Sequence, residues 1–87
     1  MTKEELLSML VEIQKDPTSS QPESIITMFD LNEHVTIHYS EIVNNQVMLK
    51  EHHCFDSYEQ VYSYLKDNFT RINVPDSCEG YKTYWIV

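Results

Sequence analysis

The sequence predicts an α+β fold from three features. Two amphipathic stretches, near residues 2–15 and 56–69, each open on a helix-capping signature. Between them lie alternating apolar segments that meet at Asn44-Asn45. A closing run from Tyr81 to Val87 is rich in aromatic and β-branched residues. The expected order is α-β-β-β-α-β: an antiparallel sheet of three to four strands, with two helices packed on one face. At 87 residues, the chain is expected to form a single domain over 1–87.

The first helix is expected to start at Thr2, which stands three residues before Glu5 at capping-box spacing. Leu6, Met9, Leu10 and Ile13 recur at helical intervals. Pro17 disfavours helical geometry at Asp16, so the helix should end near Lys15. Residues 16–23 are polar, carry two prolines and read as a loop.

Three strands should follow, at 24–30, 34–43 and 46–55. Asparagine tolerates positive φ, which suits Asn44-Asn45 to a tight hairpin turn. Two registers compete for this hairpin. A plain two-residue turn sets His38 opposite Glu51 and puts His34 and His53 on their face. Pointing Val35, Ile37, Tyr39, Val47, Leu49 and Phe55 all inward needs an odd-length turn or a bulge. His34, His38, His52 and Cys54 would then share the outward face.

The second helix should begin at Asp56 or Ser57, each followed at capping-box spacing by Glu59 or Gln60. Tyr58, Val61, Tyr62, Leu65 and Phe69 fall within about 100° of arc. Val74-Pro75-Asp76 reads as a break before the last strand.

Charge excludes several function classes. Fourteen acidic residues against six basic ones give a net charge of -8. Such a chain repels nucleic acid and anionic membrane and favours a basic or neutral protein partner. The single glycine, Gly80, cannot build a phosphate-binding loop or a nucleophile elbow, so no cofactor and no catalytic residue is expected. Two cysteines, Cys54 and Cys78, are too few for a disulfide framework. Acidic residues stand where a signal peptide would be basic, and apolar runs are short, so the reading is cytoplasmic with free thiols.

His34, His38, His52 and Cys54 form the alternative, histidine-centred reading, a metal-binding or small catalytic site on the hairpin. Direct neighbours across strands sit about 5 Å apart, so four ligands would not converge without strong twist, and a solvated polar face is the leading expectation. The acids are dispersed with no run longer than two, so a nucleic-acid mimic would need them to gather in three dimensions.

Contact residues are the stronger signal. Leu7 and Val11 make a second apolar ridge on the first helix, beyond its core arc, and a homodimer through that ridge is one expected use of it. Tyr64 falls at the flank of the second helix's core arc. Tyr84 and Trp85 alternate on the last strand, so one of them must face away from the core. Tyrosine and tryptophan are preferred interface anchors. If the last strand lies at a sheet edge, it could also pair with a partner strand.

Tyr64, Tyr84, Trp85, Leu7 and Val11 are therefore the expected interaction residues of a small acidic interaction module. No stretch carries a signature that names a family. The profile is one shared by small regulators and inhibitors, including those of bacteria and their viruses.

Overall fold

A computed structural model describes residues 1–13, 22–76 and 80–87. The helix end expected near Lys15, most of the 16–23 loop, and Cys78 lie outside the described residues; Cys54 is a free thiol. The elements are α1 (Lys3–Ser8), β1 (Val11–Ile13), β2 (Ser24–Leu31), β3 (His34–Val43), β4 (Gln46–Phe55), α2 (Tyr58–Asn68), β5 (Arg71–Asp76) and β6 (Gly80–Trp85).

The α+β class holds, but the strands form two antiparallel three-stranded sheets, ordered β1-β6-β5 and β2-β3-β4. This replaces the expected single sheet. The sheets meet where β5 runs beside β2. The Asn73 side-chain amide donates to the Ser24 carbonyl at 2.9 Å, and the Thr83 hydroxyl donates to Asn73 Oδ1 at 2.7 Å. Both sheets feed one core: Ile26, Met28, Val35, Ile37, Ile72, Val74 and Tyr84, with Leu6, Leu10 and α2's Tyr58, Val61 and Leu65. The two helices touch each other, and α2 lies against β3 and β4.

Helix α1 is shorter than the periodicity predicts. The Thr2 hydroxyl accepts from the Glu5 N–H at 3.1 Å, as the capping signature requires. The helix ends at Ser8, where Met9 N–H bonds the Leu6 carbonyl and Leu10 N–H bonds that of Leu7. These tighter bonds turn the chain, and Leu10 drops into the core. Val11–Ile13 then pairs with β6 instead of continuing the helix. A helix this short gains little by propagating, whereas β-branched Val11 and Ile13 suit a pleated ladder. The expected Leu7–Val11 helical ridge therefore does not exist.

The break expected at Val74-Pro75-Asp76 is instead part of β5. β5 is an edge strand of its sheet, where a missing proline N–H costs no ladder bond.

The hairpin contains both competing registers. Val43 pairs with Gln46 around Asn44 and Asn45, whose φ values are 52° and 64°. The plain register runs as far as Ser40 opposite Leu49, and the next pair is Tyr39 with Glu51. Lys50 is thus the extra residue of a β-bulge, and beyond it His38 faces His52 and Thr36 faces Cys54. Val47 and Leu49 precede the bulge, so they lie on the outward face, exposed, and not inward as the alternation predicts.

Candidate functional site

Val11 of β1 and Trp85 of β6 are direct cross-strand partners. On the other side of Trp85, Arg71 of β5 is its partner, with the guanidinium carbon 5.9 Å from the ring centroid. The three side chains form a row across the sheet. Val11 is 51% exposed and Trp85 45%. Strand alternation explains the division of the last aromatics: Tyr84 turns inward and is buried, so Trp85 alone is presented. An indole flanked by an aliphatic and a guanidinium presents a flat, amphipathic contact surface with few rotatable bonds to order.

The other expected anchors are placed differently. Leu7 is half-buried against the core. Tyr64 is half-buried in an aromatic cluster, with ring centroids 4.9 Å from His53, 5.4 Å from Phe55 and 6.0 Å from Phe69. Burial pushes the Tyr64 hydroxyl pKa up, and the charge of Glu51 adds to the shift. The last strand is the middle of its sheet, with β1 and β5 on either side, so it offers no free edge.

The histidines divide between two faces. On the outward face, the His38 and His52 rings meet edge-on at 4.8 Å, and Phe29 meets His38 at 5.2 Å. Cys54 Sγ lies 3.6 Å from His52 Nε2 and 3.9 Å from Thr36 Oγ1. His34 is drawn away to Asp56, with Nδ1 3.3 Å from Oδ1. His53 belongs to the helix side, 3.2 Å from Glu51. Among the described residues, no group of three or more His, Cys, Asp and Glu is placed to hold a metal ion. What the outward face does hold is one thiol–imidazole contact.

Sequence reasoning missed a gathering of acids. Glu4, Asp30, Glu33, Asp56 and Glu59 line one cleft between the start of α1, the β2–β3 turn and the start of α2. The Met1 amine partly offsets them, 3.3 Å from Glu59. Backbone hydrogen bonding at the start of α2 holds the Glu59 carboxyl below its usual range, aided by that amine. These residues come from three separate segments of the chain, and only folding brings the segments together.

No family model matches the chain, and neither does a curated protein or a solved structure. Among the described residues, no helix is long and apolar enough to cross a membrane. The fold and its surface define an α+β chain with an exposed aromatic–aliphatic row on one sheet and an acid-lined cleft.

Proposed function

We propose that this chain is a small acidic protein-interaction module, a regulator or inhibitor that acts by covering a surface of another protein. The exposed Val11–Trp85 pair carries the reading. Leaving a tryptophan and a valine side by side in water forgoes burial worth roughly 25 cal/mol per Å², a cost that a partner's surface would remove. Tryptophan is also the residue type most enriched among binding hot spots. Tyr64, half-buried at the centre of its aromatic cluster, stands as a secondary anchor.

The partner's contact surface is basic or neutral. The acid-lined cleft concentrates negative potential on one side of the molecule and steers a basic partner toward it. Binding therefore weakens as salt rises. The working location is the cytoplasm.

Affinity capture from the source cell, with wild type and Trp85→Ser in parallel, tests the reading. Partners recovered by the wild type should be lost with the variant, and recovery should fall with added salt. Recovery of the same partners by both proteins would remove Trp85 from the contact and the reading with it.

A further inference from the structure

We infer that β4 is a self-pairing edge, through which two copies of this chain join their β2-β3-β4 sheets into one six-stranded sheet. This proposal uses a different sheet from the Val11–Trp85 row and does not depend on it.

β4 runs ten residues, from Gln46 to Phe55, and no described strand pairs with its outer side. Val47, Met48 and Leu49 stand exposed in sequence along it, Val47 at 61%. A long unpaired edge with three consecutive exposed apolar residues invites another strand.

The backbone specifies which residues offer bonds. A two-residue turn makes Val43 and Gln46 a hydrogen-bonded pair, and pair types alternate along the ladder. The Ile42 N–H confirms the alternation, since it bonds the Glu23 carbonyl on the β2 side at 2.8 Å. Gln46 and Met48 therefore turn their backbone groups toward β3, while Val47 and Leu49 turn theirs outward. The bulge at Lys50 shifts the count. Beyond it Glu51, His53 and Phe55 face β3, and His52 and Cys54 face outward.

An antiparallel copy must align outward groups with outward groups, and like faces with like faces. Setting the two ten-residue strands in full overlap does both for every pair outside the bulge. Leu49 then lies opposite His52 of the second copy, and Val47 opposite Cys54 of the second copy, each pair exchanging two hydrogen bonds. Without a bulge, a strand of even length in full overlap would oppose residues from opposite faces. Here the extra residue corrects the parity.

Charge favours the same register. At the two-fold axis, Lys50 of each copy meets Glu51 of the other. A lysine on an edge normally deters pairing. In this register it finds a carboxylate instead of its own copy, and opposite charges across strands attract.

Sedimentation of the full chain across the micromolar range tests the proposal. The wild type should form a dimer that dissociates on dilution. Lys50→Glu and Glu51→Lys should each raise the dimer Kd by about tenfold, and the double swap should bring it back to within about threefold of wild type. A chain that stays monomeric overturns the proposal and leaves the edge to a foreign strand. A dimer whose Kd neither reversal changes overturns it as well. Should a reversal fail to fold by circular dichroism, Val47→Cys in a Cys78→Ser background decides. Oxidation should join position 47 of one copy to Cys54 of the other; a bond between two like positions, or none, overturns the register.

Discussion

Val11 and Trp85, nearly the full chain apart, lie face to face across β1 and β6, and both are exposed. Their neighbour Tyr84 is in register with Ile72 and points into the core. Two adjacent aromatics on one strand thus have opposite roles, and substitution separates them. Trp85→Ser loses an exposed cross-strand pair and a contact with Arg71, about 1 kcal/mol in all. Tyr84→Ser empties part of the core and costs about 3 kcal/mol or more. Urea denaturation of both variants should show this difference in midpoint.

Deleting Lys50 should leave the chain folded. Every β3–β4 pair survives the deletion, because Lys50 has no partner on β3 and Glu51 already follows Leu49 in the ladder. Stability should change by about 1 kcal/mol or less, since only the bulge's local twist is lost. The same deletion sets Glu51 against its own copy in a β4–β4 pairing and should abolish the dimer. Circular dichroism and sedimentation of one sample read both effects. An unfolded deletion variant would mean that the bulge is required by the hairpin.

Glu33 occupies the left-handed region, with φ 67°, beside Asn32 at 51°. The side chain of an L-residue crowds its carbonyl there, which glycine avoids. Glu33→Gly should therefore stabilise the protein by about 1 kcal/mol. Asn45→Gly, where asparagine already tolerates φ 64°, should gain less. Thermal melts of the two variants should rank in that order.

Tyr58 is buried, and its hydroxyl makes no hydrogen bond. Burial pushes its pKa up, and Asp30 adds to the shift by its charge and by an approach that stops short of hydrogen-bond geometry; Glu4 adds less. In the unfolded chain the same tyrosine ionises near its ordinary value of 10.0. Below that pH both states hold the proton and Tyr58 adds no slope. Above it the unfolded state releases the proton first, so stability falls as pH rises. Tyr58→Phe should change stability by less than about 1 kcal/mol at neutral pH, because the lost hydroxyl had no partner. It should flatten the decline above pH 10. Urea midpoints measured across that range check both.

The sequence exposed those parts of the fold that local chemistry controls. Ser57 caps α2, accepting from the Gln60 N–H at 3.4 Å, as the capping spacing implied. Asn44-Asn45 makes the hairpin turn. The misread elements are those decided by distant partners. Residues 11–13 follow a helical apolar pattern, yet β6 pairs with them as a strand. Pro75 looks like a break until the edge position of β5 makes it harmless. Val47 and Leu49 alternate as core residues should, but the two-residue turn sets them outward, and the extra residue brings only the residues after it into the inward register. At the surface, alternation required one of Tyr84 and Trp85 to face out, without saying which. Val11 was singled out as exposed on a helix and is exposed on a strand instead. The acid-lined cleft depends on two helix starts and one turn meeting in space, which no single stretch of sequence shows.

The β1-β6-β5 sheet has a temporal consequence. Its central strand comes from residues 80–85, and one neighbour from residues 11–13. Synthesis proceeds from the other direction, so the β3–β4 hairpin can assemble while β1 is still waiting for its mate. Contacts between segments so distant in sequence slow folding. β1 can therefore pair only after β6 has been made, and the Val11–Trp85 surface forms with that pairing.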